Sequence, residues 1–203
     1  MSKHEGVMIG YVRPLMVHGE FMEALFVEAN RAKAKVHGMW SEPYVDAARN
    51  RVVEFFMASD CEWFLSVDTD IILPDLVVQR LMARRQSLVG ALIYVDADPI
   101  FPQIYSKIAD FGFGGMGQYV VNEAWNPGEL VKADATGAGC LLIHREVFDK
   151  IPEGSQYRWF EHEREGQQMF GEDFTFCRRA RQVGFQLYID TAVHAKHIKT
   201  RYI

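Results

Sequence analysis

The sequence predicts an α/β protein: a mostly parallel central sheet with helices on both faces. Three observations carry this. β-rich and helical segments alternate through the first half of the chain. Residues 63–67 (WFLSV) and 88–95 (LVGALIYV) are nearly unbroken apolar runs, as expected of strands covered on both faces. The segments between the strand candidates place apolar residues at helical spacing. Parallel strands joined this way need right-handed crossovers, which keep them in one sheet.

In chain order, residues 7–12 (VMIGYV) form the first strand, and Pro14 and Gly19 mark the loop after it. Residues 21–35 read as a helix, with Phe21, Leu25 and Ala29 at i, i+4 and i+8. Residues 36–40 are a short strand. Glu42-Pro43 opens the next helix, which carries Val45, Ala48, Val52 and Phe56 on one face. The strand at 63–67 ends in Asp68, a helix starts at Pro74-Asp75, and 88–95 is the next strand. The second half is less regular. Pro99, Pro102 and the glycine run at 112–117 (GFGGMG) read as loop or hairpin, residues 140–143 (CLLI) as a strand and 145–151 as a short helix. Residues 157–171, polar and aromatic, read as a mobile loop. A helix at 174–183 stops at Gly184, and a strand follows at 186–189. No linker splits the chain, so one domain is expected over 1–203, with halves at about 1–98 and 99–203.

A chain of 203 residues is long enough to bury a full core without disulfide or metal staples. Lys plus Arg is 22 and Asp plus Glu is 27, a net charge of −5. That acidity argues against a dedicated nucleic-acid binder, though not against a local basic pocket. The longest apolar run falls far short of the ~20 residues that cross a bilayer. The three cysteines, Cys61, Cys140 and Cys177, are widely spaced and odd in number. They suit a reducing, cytoplasmic compartment, and residues 1–10 do not look like a signal peptide.

Four constellations can carry chemistry. Asp68-Thr69-Asp70 directly follows an apolar strand, and ligands in open α/β sheets collect at the carboxyl ends of strands. Two carboxylates there can hold a divalent cation and a phosphorylated ligand; the bland reading is a turn or helix cap. Asp96 and Asp98 repeat the spacing, but Pro99 beside them favours a turn. Glu172-Asp173 opens a helix, whose macrodipole favours the ionised form and so a ready general base, or simply a stable first turn. Asp190, His194 and His197 lie near the C-terminus; the two histidines are three apart, so a helix would face both to one site, as metal ligands or as ordinary polar residues. Finally, Thr136-Gly137-Ala138-Gly139 is small enough for a ligand to approach its backbone, or is a plain turn.

Taken in order, FLSVDTDIILP, ATGAGCLLIHREVF, GEDFTFCRRARQVGF and YIDTAVHAKHI resemble the GT-A glycosyltransferases, especially the compact, family-2-like ones, over roughly residues 7–198. The Glu-Asp helix is the most specific part. The resemblance implies a Rossmann-like GT-A fold and a metal-dependent transfer of a sugar from a nucleotide-diphosphate sugar, UDP- or GDP-linked, to an acceptor hydroxyl, with inversion. It implies Mn²⁺ or Mg²⁺ held by Asp70, Asp68 and His197, with His194 as the runner-up histidine. It implies Asp173 as catalytic base with Glu172 beside it. Arg13, Pro14, Arg49, Asn50, Asp68 and Gly137 would face the donor, and Trp159 and Phe160 the acceptor. The acceptor would be a glycan, protein or small molecule rather than a polyprenyl lipid, with no nucleic acid and no membrane span. The compact form is similar to bacterial and bacteriophage-encoded members, which implies the cytoplasm, the host's in the phage case.

Two rivals share the α/β half. A sugar nucleotidyltransferase should carry a basic Gly-rich loop after its first strand, where this chain has YVRPLMVHG. A non-catalytic carbohydrate-binding protein should have lost the acidic pairs, and both are present. The Tyr-Val-Arg-Pro loop also departs from the family's usual one, which leaves the donor base open.

Overall fold

The computed structural model describes residues 6–41, 44–107, 119–154, 156–165 and 168–199. In chain order its elements are β1 (Val7–Arg13), α1 (Gly19–Ala32), β2 (Lys35–Trp40), α2 (Val45–Met57), β3 (Trp63–Asp68), β4 (Ile71–Ile72), α3 (Val77–Met82), β5 (Leu88–Leu92), β6 (Tyr94–Val95), β7 (Phe101–Pro102), β8 (Tyr105–Lys107), β9 (Tyr119–Val121), β10 (Leu130–Ala133), β11 (Cys140–His144), α4 (Arg145–Lys150), β12 (Glu163–Glu165), β13 (Gln168–Phe170), α5 (Glu172–Gln182), β14 (Leu187–His194) and β15 (Lys196–His197).

The central sheet has seven strands in the order β10-β14-β5-β11-β3-β1-β2. β1 is parallel to both β2 and β3, and β14 is parallel to β5. β11 runs against both β3 and β5, and β10 runs against β14. The sheet is therefore mostly parallel with two reversed strands. Apolar side chains cover both faces. Ala48, Val52 and Phe56 of α2, Val147 and Phe148 of α4, and Phe176, Cys177 and Ala180 of α5 form one core cluster. Phe21, Leu25 and Ala29 of α1, with Val77, Val78 and Leu81 of α3, form the other. This is why β3 and β5 are apolar at almost every position: neither has a wet face.

The structure departs from the sequence reading in four places. The run at 88–95 is not one strand: β5 ends at Leu92, and Tyr94 and Val95 turn away to pair with Pro102 and Phe101. The stretch at 157–171 contains the β12–β13 hairpin and buries Trp159, Phe160 and Glu161, so it is tied down rather than a free loop. His194 and His197 lie on strands, not a helix. β10 had no element assigned to it. The run at 112–117 and the Glu42-Pro43 helix opening lie outside the described residues.

Candidate active site

Parallel pairing brings the carboxyl ends of β1 and β3 together, where Val12 and Asp68 are register partners. The backbone N–H of Asp68 donates to the Gly139 carbonyl at 3.1 Å. A Cβ at position 139 would stand 3.1 Å from Asp68 Oδ2, so the small residue is needed to let the chain pass beside this carboxylate. The ATGAG segment thus packs against the first acidic pair. Thr136 Oγ1 donates to the Gln103 carbonyl at 2.7 Å, and a Cβ at Gly137 would meet Gln103 Oε1 at 2.5 Å. Gln103, rather than open space, lies over Gly137.

Arg49 of α2 joins the two acidic motifs. Its Nη2 donates to Asp68 Oδ1 at 2.7 Å and its Nε to Glu172 Oε1 at 3.1 Å, while Nη1 reaches Ser66 Oγ at 3.5 Å. Burial works against the Arg49 charge, but Asp68 and Glu172 beside it hold its pKa above the ordinary guanidinium value. His162 approaches the same cluster, 3.2 Å from Asp46 Oδ2 and 3.4 Å from Glu172 Oε2.

Asp173 sits in the first turn of α5 and accepts a hydrogen bond from the Phe174 N–H at 2.8 Å. Burial pushes its carboxyl up from 3.8 to about 6; the Glu172 charge adds to the rise and Arg49 opposes it. The helix start was expected to favour the ionised form, but desolvation and the neighbouring carboxylate outweigh it. The carboxylate is still ionised at neutral pH, and its basicity is better matched to proton abstraction there.

The second half of the DxD faces a different partner. β15 pairs with β4, setting His197 opposite Ile71, and the Ile198 N–H donates to the Asp70 carbonyl at 2.7 Å. This ribbon brings His197 Nε2 to 2.9 Å from Asp70 Oδ2, with Nδ1 3.2 Å from the Tyr94 carbonyl. His194 Nε2 instead lies 2.7 Å from the Thr191 carbonyl. Among the described residues, no three His, Cys, Asp or Glu side chains converge as a metal-ligand set. Asp68, the expected additional ligand, is engaged by Arg49. The Asp70–His197 pair is nonetheless a fitting donor set for a dication: one hard oxygen and one imidazole nitrogen suit Mn²⁺, and a small protein ligand set leaves positions for phosphate oxygens and water.

Other expected residues take different places. Asn50 uses its whole amide on backbone: Nδ2 donates to the Asp46 and Phe160 carbonyls at 2.7 and 2.6 Å, and Oδ1 accepts from the Trp159 and Phe160 N–H groups at 3.2 and 3.3 Å. It is a clamp on the 159–160 segment rather than a donor contact. Trp159 and Phe160, expected to face an acceptor, are both core residues. The Trp159 indole N–H donates to the Phe148 carbonyl, and Phe160 stacks on Phe176 at 4.6 Å. The acceptor role came from the resemblance alone; here the two rings fill the gap between α2, α4 and α5. Arg13 lies over the Trp40 ring at 5.5 Å, and Pro14 is exposed. Asp190 is buried and accepts from Arg84 Nε and Nη2 at 2.6 and 2.8 Å, a structural ion pair. Asp96 borders a separate cleft of about 480 Å³ with His194, Lys196 and His197.

The sequence reading had Arg179 in register on the Glu-Asp helix but not its partners, and it missed Tyr105 and Tyr119. Arg179 Nη1 donates to the Tyr157 and Arg158 carbonyls, both at 2.8 Å, and Nη2 to the Glu161 and Glu163 carboxylates. The only sequence signal was the Glu-His-Glu alternation at 161–163. Tyr105 and Tyr119, brought next to α5 by the β8–β9 pairing, carried no signal at all.

The chain superposes on the crystal structure of A197 from STIV with a TM-score of 0.66 at 15% identity, covering 96% of this chain and 86% of that one. It superposes on GalNAc-T7, solved with UDP, GalNAc and Mn²⁺, with a TM-score of 0.59 at 12% identity, covering 98% of this chain and 45% of that one. On a Drosophila β1,4-galactosyltransferase 7 mutant, solved with manganese, UDP-Gal and xylobiose, the TM-score is 0.51 at 17% identity, covering 97% and 72%. The chain has the GT-A glycosyltransferase fold. No protein-family model matches its sequence, and no curated protein matches it significantly. On this GT-A framework the strand-borne Asp68 and the helix-borne Glu172 converge on one arginine, with Asp173 next to them and the Asp70–His197 pair on the ribbon that follows β3.

Proposed function

We propose that this chain is a metal-dependent glycosyltransferase, working as one domain, that moves a sugar from a nucleotide-diphosphate sugar to an acceptor hydroxyl with inversion. The observation that carries the reading is Asp173: a carboxylate with its pKa raised to about 6, set beside the Arg49-linked acidic cluster on a GT-A fold. The structural neighbours solved with UDP or UDP-Gal and manganese support the donor class and the cofactor.

In this reading Asp70 and His197 hold Mn²⁺ or Mg²⁺, which when bound offsets the charge that builds on the diphosphate leaving group. Arg49 holds the Asp68 and Glu172 side chains in place through its hydrogen bonds to both. Asp173 accepts the proton of the acceptor hydroxyl as that oxygen attacks the anomeric carbon. Raised basicity at this position is what such a transfer needs near neutral pH. Among the described residues, no helix is long and apolar enough to cross a membrane.

The test is a panel of UDP- and GDP-sugars with Mn²⁺, read as nucleotide diphosphate release and sugar transfer to mixed glycosides. Release that requires Mn²⁺ and stops with a chelator is expected. If no donor binds at all, the reading is wrong; donor binding with no turnover in any condition favours a nucleotide-sugar-binding protein instead.

A further inference from the structure

Beside Asp173 lies a cleft of about 280 Å³ lined by Tyr105, Tyr119, Met169, Phe170, Gly171 and Phe174. Its aromatic rings lock one another in place. Phe174 meets Tyr105 at 5.0 Å and Tyr119 at 5.1 Å, and Tyr119 meets Phe170 edge-on at 6.0 Å. Met169 is 60% exposed at the rim. The cleft and the carboxylate share a backbone: a Cβ on Gly171 would come within 3.0 Å of Asp173 Oδ1. The Tyr105 phenol also senses this carboxylate, since burial raises its pKa and the Asp173 charge raises it further.

We propose that this aromatic cleft is the acceptor subsite and that it takes an uncharged pyranose ring, so that the acceptor is a glycan or glycoside. The inference rests on the transferase reading above. Three features point to this ligand class. Among the described residues the side chains that line the cleft are uncharged, with the Arg178 guanidinium packed against the Phe170 ring. The volume, about 280 Å³, lies just below the roughly 300–1,000 Å³ of ordinary ligand pockets, room for one ring rather than a lipid chain or a peptide segment. The walls are aromatic faces with negative quadrupoles and two phenol hydroxyls. Such walls match a ring with C–H groups on its faces and hydroxyls on its edge. A ring seated there brings an edge hydroxyl toward Asp173. In the transfer the acceptor oxygen forms a bond to the anomeric carbon and the bond from that carbon to the phosphate oxygen breaks. Its electron pair leaves with the diphosphate, and the hydroxyl proton passes to Asp173.

The test uses saturation-transfer NMR on the intact chain with methyl β-D-glucopyranoside and methyl β-D-galactopyranoside, and with open-chain sorbitol as the hydroxyl-rich control. At least one pyranoside should bind, with saturation strongest on its ring C–H protons, and sorbitol should not. Tyr119→Ala should weaken that binding by about tenfold, Tyr119→Phe should retain it, and Met169→Ala at the exposed rim, where misfolding is not expected, should weaken it about threefold. UDP affinity with Mn²⁺, measured in parallel by calorimetry, should be the same in all of them. Absence of pyranoside binding, or binding that neither Tyr119→Ala nor Met169→Ala reduces, overturns the assignment. Loss of UDP binding in the wild type would instead indict the transferase reading itself, so the two failures are told apart.

Discussion

Replacing Asp173 with Asn should make the protein more stable and much less active at once. The folded carboxyl has a pKa of about 6 against an ordinary 3.8. Between those values the folded state keeps a proton that the unfolded chain has released, so wild-type stability declines as pH rises from about 4 to about 6 and stays lower above that. The two-unit rise corresponds to about 3 kcal/mol at most, and partial solvent screening of the carboxylate lowers this to about 1–3 kcal/mol. Asn cannot ionise, and its side-chain oxygen can still accept the Phe174 N–H, so the cost disappears. At about 2–4 °C per kcal/mol for a chain of this size, Asp173→Asn should melt about 2–12 °C higher than wild type at pH 7.5 and at the same temperature near pH 4. Transfer should fall by roughly 10²–10⁴-fold, the span of a lost general base, while UDP binding with Mn²⁺ is kept. Wild-type kcat/KM should drop as pH falls through about 6. Thermal melts at both pH values, alongside turnover with a donor shown to bind, decide the matter. A variant that is less stable at pH 7.5, or whose stability gain is the same at pH 4, would show that burial of the charged form is not what raises this pKa. Near wild-type turnover would place the base elsewhere.

Asp70→Ala should abolish the Mn²⁺-dependent thermal shift produced by UDP or GDP, and Asp98→Ala should leave it nearly intact; the reverse pattern would mean the wrong acidic pair. His197→Ala should weaken Mn²⁺ affinity clearly and His194→Ala little, as titration calorimetry can show, because only His197 is carried to Asp70 by the β4–β15 ribbon. Arg179→Ala removes the guanidinium that holds the buried Glu161 carboxylate, the Glu163 carboxylate and the 157–158 carbonyls and should cost about 3–5 kcal/mol in urea unfolding; a loss under about 1 kcal/mol would show that the remaining contacts of Glu161, such as the Gln156 N–H, suffice. Asn50→Ala should release the 159–160 backbone it clamps, detectable as faster amide exchange at Trp159 and Phe160; unchanged exchange there would show that the packed rings alone hold the segment.

The β3 strand, the Asp-x-Asp after it and the Glu-Asp helix were legible because their signals are local. A strand covered on both faces must be apolar at almost every position, and the residue where the apolar run stops marks its carboxyl end. Helix starts likewise declare themselves through acidic first turns and apolar spacing. The roles of Arg49 and Asn50 were not legible, since each depends on partners more than 100 residues away, Glu172 for one and Phe160 for the other. Trp159 and Phe160 were misread for the same reason: whether an aromatic ring faces water depends on what other elements leave unfilled. The raised pKa of Asp173 is also tertiary, because the helix start beside it is in the sequence while the burial that outweighs it is not. The sequence by itself determined the strands and helices of the first half, the Glu-Asp helix and where their acidic ends fall, because those elements answer to neighbours a few residues away. Only the tertiary structure decided that Asp68 and Glu172 meet the same arginine and that Asp173 is buried beside them, because those contacts are made across the chain.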